Sequence, residues 1–63
     1  MIELTRINGG HVTVNNELIV TVEETPDTLL TFTNGQKLLV RESRQDVIRL
    51  VKEYEREIRT GLQ

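Results

Sequence analysis

The chain has no cysteine, one histidine, one proline and only two aromatic residues, and each scarcity removes a class of protein. Without cysteine there is no disulfide framework, and one histidine leaves no closed tetrahedral zinc site. At 63 residues the chain makes one domain with a thin core. Domains below roughly 70–80 residues usually draw on a disulfide, a metal or a partner subunit. With the first two excluded, self-association is the expected supplement. No segment approaches the ~20 consecutive apolar residues of a membrane span. The N-terminus also lacks the basic start and long apolar run of a secretory signal. The expectation is a cytoplasmic protein with no membrane insertion.

Reactive constellations are equally scarce. His11 would need an orienting group and a nucleophile to act as a base, and the only serine, Ser43, stands where a helix cap is wanted. Glu23 and Glu24 are adjacent on a predicted strand and point to opposite sides, while Asp27 lies in the turn that follows. Paired catalytic carboxylates need a cleft that raises one pKa, which so small a sheet does not offer. Asn8-Gly9-Gly10 and Asn34-Gly35 are turn signals, without the Gly-rich spacing or terminal lysine of a phosphate-binding loop. Phe32 and Tyr54 are too few and too far apart to stack bases along a strand of nucleic acid. No catalytic residue, cofactor or metal is expected, so the chain should be non-enzymatic and act by binding.

What is present is aliphatic and periodic. Ile2 and Leu4 alternate with Glu3 and Thr5, the period of a half-buried strand, and Val12 and Val14 repeat it after the glycine turn. Asn15-Asn16 turns the chain, after which Leu18, Val20 and Val22 should share one face of a third strand. Thr25-Pro26-Asp27 is a turn by its chemistry. Leu30 and Phe32 lie on one face of a fourth strand, with Leu29, Thr31 and Thr33 on the other. Asn34-Gly35 reads as a two-residue type I′ hairpin, which returns the chain through a fifth strand with Leu38 and Val40 on one face and Leu39 on the other. The period then changes. Ser43 and Asp46 form a variant capping box, and Val47, Val51, Tyr54 and Ile58, widened by Leu50, make one helical stripe. Arg49, Lys52, Glu53, Arg56, Glu57 and Arg59 occupy the opposite face as solvated charges, with Glu53–Arg56 and Glu55–Arg59 as expected pairs. Gly61 should close the helix. The predicted class is α+β: a small five-stranded antiparallel sheet, or partly closed barrel, over about 1–41, followed by one amphipathic helix over about 44–60.

Charge is unevenly distributed within a net of −2. Residues 1–35 hold Arg6 against five acids, whereas residues 36–63 hold seven cations against five acids. An acidic chain is a poor match for non-specific nucleic-acid binding, although Lys37, Arg41 and Arg44 form a local basic patch. Self-complementarity between subunits is the favoured reading of the asymmetry. Apolar residues on both strand faces point the same way, because one helix covers one face and leaves the other exposed. A homo-oligomer, dimer or trimer, is expected, with closure into a barrel as the competing solution.

Read end to end, the chain resembles the flagellar FlbD family, the family of the swarming motility protein SwrD. The resemblance is carried by Met1-Ile2-Glu3-Leu4-Thr5-Arg6-Ile7-Asn8-Gly9, Asn16-Glu17-Leu18-Ile19, Thr25-Pro26-Asp27-Thr28, Thr33-Asn34-Gly35 and Val40-Arg41-Glu42-Ser43, in that order. It implies a small cytoplasmic accessory that supports motor power and swarming by binding a flagellar motor or regulatory protein, at or near the stator. Leu4-Thr5-Arg6 and the run Val40-Arg41-Glu42 into a helix are also similar to the carbon storage regulator, an RNA-binding dimer. That second resemblance implies RNA or partner contacts at Leu4, Arg6, Arg41 and Arg44. The tight Thr33-Asn34-Gly35 turn, where that family has a longer proline-containing loop, and the negative net charge make RNA the less favoured partner.

Overall fold

A computed structural model describes the backbone of residues 1–61 and the side chains through Ile58. Five strands, β1 (Ile2–Thr5), β2 (His11–Val14), β3 (Ile19–Glu24), β4 (Thr28–Phe32) and β5 (Lys37–Val40), precede the helix α1 (Arg44–Gly61). A short 3-10 turn, Asn16–Leu18, joins β2 to β3. The chain is α+β as expected, but the strands do not make one sheet, nor a closed barrel. They form a two-stranded sheet, β1-β2, and a three-stranded sheet in the order β3-β4-β5, all antiparallel.

The division has a local cause. β1 meets β5 at one bridge, Arg6 with Val40. Beyond Val40 the chain leaves for the helix, and beyond Arg6 it enters the first hairpin turn, so the ladder has nowhere to continue. At the join, Arg41 N–H donates to the Thr5 carbonyl at 2.8 Å. Thr5 N–H then has no strand to pair with, and the Glu42 carboxylate replaces one: Thr5 N–H donates to Oε1 and Thr5 Oγ1 to Oε2, each at 2.9 Å. Partial burial pushes the Glu42 carboxyl up, but the Thr5 hydrogen bonds outweigh it and hold the group below its usual range.

The two Asn-Gly turns are the same turn twice. Arg6 N–H donates to Gly10 O at 2.6 Å and Gly9 N–H to Arg6 O at 2.8 Å. In the second hairpin Phe32 N–H donates to Gln36 O and Gly35 N–H to Phe32 O, both at 2.9 Å. Each asparagine then accepts from the residue after its glycine, Asn8 from Gly10 at 3.0 Å and Asn34 from Gln36 at 2.9 Å. Only the glycines have positive φ, +100° at Gly9 and +87° at Gly35. The expected type I′ turn is therefore replaced by a three-residue loop, a tight turn followed by one left-handed glycine. That loop keeps asparagine out of the left-handed region and leaves its side chain free to lock the backbone.

The third strand departs from simple alternation. Ile19 pairs with Phe32 and Thr21 with Thr31, which leaves Val20 as an extra residue. The bulge turns Ile19 and Val22 inward and leaves Val20 60% exposed, while Leu18 sits in the 3-10 turn rather than the strand. The expected face of Leu18, Val20 and Val22 is corrected accordingly. Elsewhere the alternation holds: Ile2, Leu4, Leu30 and Val40 are buried, and Val47 of α1 completes the core. Thr25–Pro26 is a cis peptide, and Thr25 N–H donates to Asp27 O at 3.2 Å.

Ser43 caps α1 as its type suggests. Its Oγ accepts from Asp46 N–H and its carbonyl from Val47 N–H, both at 3.0 Å. A cap invisible in the sequence joins it: Glu24, at the end of β3, accepts from Arg44 N–H at 3.0 Å. Asp46 meets Arg49, which also pairs with Glu53. The expected Glu55–Arg59 pair lies outside the described side chains. The helix runs through Gly61 rather than stopping before it. Its 18 residues span ~27 Å, longer than strands of four to six residues. Leu50, Val51 and Tyr54 pack on the core, whereas Ile58 lies beyond its end and is 40% exposed, so the expected stripe is one residue shorter.

Three outcomes test this account. Leu4→Ala, at a fully buried position, should remove about 3 kcal/mol in urea unfolding, while Ile58→Ala should remove less than about 1 kcal/mol. Gly35→Ala should lose about 1 kcal/mol although a Cβ there meets nothing within 4 Å, because the cost is conformational, and Gly35→Asn should lose less. For Glu42 the folded-state pKa is depressed, so its contribution is fully present above the unfolded pKa and disappears as pH falls through the folded one. Glu42→Gln should therefore lose about 1–2 kcal/mol at neutral pH and show a shallower loss of stability on acidification than the parent.

Candidate protein-docking surface

The split between the sheets leaves two clefts, of about 450 and 460 Å³, that no described side chain of α1 lines. The first runs between Val12 and Val14 of β2 and Phe32 and Leu38 of the β4-β5 hairpin, with Leu18 at its rim. The second lies where Ile7 and Asn8 of the first turn face Leu29 and Leu39, a cross-strand pair on the outer side of the larger sheet. Arg6, Lys37 and Leu38 line both clefts, and no acidic side chain lines either. Neither Arg6 nor Lys37 has an ion-pair partner among the described residues.

Local structure explains the placement. Arg6 is the last residue before the first turn and is held by its bridge to Val40. Lys37 opens β5 opposite Thr31. Leu18, Leu39 and Ile7 are 46%, 45% and 39% exposed, a concentration of large apolar side chains around two unpaired cations. Such a surface suits an apolar segment that carries carboxylates.

The four residues that the sequence points to separate. Arg6 lines the clefts. Arg41 stands beside the same turn, its Nε donating to Ile7 O at 3.1 Å and its guanidinium close to Gly9. Arg44 is exposed at the other end of the join, its backbone engaged by Glu24. Leu4 is fully buried, so its side chain supports the surface from below and is not presented to a partner. Lys37, Phe32 and Leu38 join the site without a sequence signal that marks them for it. Lys37 is visible as part of a basic patch, but nothing in the spacing joins it to Arg6, 31 positions earlier.

The remaining reactive groups stay apart. His11 lies 3.7 Å from Glu3 on the open surface, both more than two-thirds exposed, and neither lines the two clefts. Among the described residues no cluster of three or more His, Asp or Glu side chains is placed to hold a metal ion. No helix among them is long and apolar enough to cross a membrane.

A comparison with protein families returns one described as FlbD, flagellar and swarming motility proteins, matched over residues 1–59. No curated protein and no solved structure matches the chain. The matched span runs from the buried start of β1 through both Asn-Gly turns, the Glu42 join and the capped helix, and on that match the chain belongs to the FlbD family of flagellar and swarming motility proteins.

Proposed function

We propose that this chain is a non-enzymatic, cytoplasmic accessory of flagellar motility, supporting motor power and swarming by holding a motor or regulatory protein. Family membership supports the system in which it acts. The mode of action rests on one observation: two clefts, one of mixed lining and one mainly apolar, share the unpaired cations Arg6 and Lys37 and contain no acid. The partner segment is expected to be apolar and to carry Asp or Glu, because opposite charge at a rim sets orientation and rate of encounter. Non-enzymatic action is consistent with a serine hydroxyl occupied in the helix cap and a histidine exposed on the surface.

Charge reversal in the clefts tests the proposal. Arg6→Glu and Lys37→Glu should each weaken capture of the partner by about tenfold and reduce swarm expansion, with filament number and protein level unchanged. Gln45→Ala, on the exposed first turn of α1, should behave as the parent. Circular dichroism checks the fold of each variant. Full swarming by both cleft variants would overturn the assignment of the surface. Copurified RNA that is lost steeply with salt and lost in the same two variants would replace the protein partner by RNA.

A further inference from the structure

Away from those two clefts the molecule holds a third, mainly apolar groove, between the outer edge of β3 and α1. It has a volume of about 330 Å³. Its walls include Val22 and Val51, half-buried, and Val20 and Ile48, 60% and 36% exposed. The β3 bulge and the helix stripe create it together: the bulge throws Val20 outward, and Ile48 lies one step around the helix from the residues that reach the core. At its base Asn16 is 8% exposed, and its side-chain oxygen has no hydrogen-bond partner among the described residues. A covering chain that brings apolar groups would take Val20 and Ile48 out of water.

The rim identifies the cover. It carries one cation and one anion, Lys52 and Glu55, one helical turn apart. Neither has an ion-pair partner among the described residues, unlike Arg49, which is bound to both Asp46 and Glu53. A surface with one charge of each sign beside an apolar strip is complementary to itself. Rotated about a two-fold axis with the helices antiparallel, Lys52 of each copy faces Glu55 of the other, and Val20 and Ile48 are covered twice.

We infer that a second copy of this chain occupies the β3–α1 groove, giving a two-fold symmetric dimer paired through Lys52 and Glu55. The dimer leaves the Arg6–Lys37 clefts open, so it is independent of the function proposed above. It presents those clefts in duplicate, which raises avidity for a repeated partner. β3 also gains cover for an edge that otherwise invites unspecific pairing.

A charge-swap mixture tests the inference on the full chain by sedimentation equilibrium across micromolar concentrations. The parent should be a dimer. Lys52→Glu alone places four acids at the interface and Glu55→Lys alone four cations, and each should weaken association by about tenfold or more. An equimolar mixture of the two variants should restore dimers, because the paired acids of one variant then face the paired cations of the other across the axis. An effect confined to one helix cannot produce that rescue. Ile48→Glu should give a monomer with parent-like circular dichroism. A parent that stays monomeric, a mass of three chains, or a mixture no tighter than its components would each overturn the proposal. Lys37→Glu should leave the dimer intact, so failure of the dimer and failure of the cleft assignment are separately visible.

Discussion

Thr5 turns both of its backbone groups toward the segment that joins β5 to α1, and the rest of the molecule is arranged around how those groups are satisfied. The carbonyl takes Arg41 N–H, as a strand would provide, whereas the N–H takes the Glu42 carboxylate. A side chain thus finishes a ladder the backbone abandons. The same residue fixes where the two sheets touch, where β5 ends and where the helix begins. Leaving this part-buried donor without a partner costs on the order of 1 kcal/mol, a sizeable share of the stability of so small a domain. This single join therefore has leverage out of proportion to its size.

The join also creates the candidate site. A continuous ladder between β1 and β5 would draw the two sheets together along their length. One bridge at Arg6 and Val40 lets them diverge, and the clefts occupy the divergence. The turn between β1 and β2 is what ends the ladder on one side, and the positive φ of Gly9 is what closes that turn. Turn chemistry, sheet division and the two clefts are one piece of physics seen at three scales.

The core is small because the chain is small. Its five buried apolar side chains are fewer than the seven large apolar ones left exposed among the described residues, and most of the latter lie beside a groove or cleft. A chain of this size cannot bury its apolar residues on both sides of a sheet with one helix. The exposed residues divide between two flanks of different electrostatic character: one bears cations alone, the other bears one charge of each sign. The first is the surface proposed for a partner of opposite charge, and the second is the surface inferred for a second copy of this chain.

Local chemistry was legible in the sequence wherever neighbours along the chain decide the outcome. The alternation of Ile2 with Leu4 and of Leu38 with Val40, the Ser43 cap and the Val47–Tyr54 stripe are set by period and by a hydroxyl three residues from its donor. The Asn-Gly turns were legible as turns, but their type was not, since the loop length depends on which register the flanking strands adopt. The β3 bulge answers to its pairing with β4, while the Glu24 cap on Arg44 and the Glu42 bond to Thr5 join residues 20 and 37 positions apart. No periodicity encodes such distances. The order of the strands was in the sequence, but their division into two sheets, and with it the meeting of Arg6 and Lys37, was decided only when a carboxylate took the place of a strand.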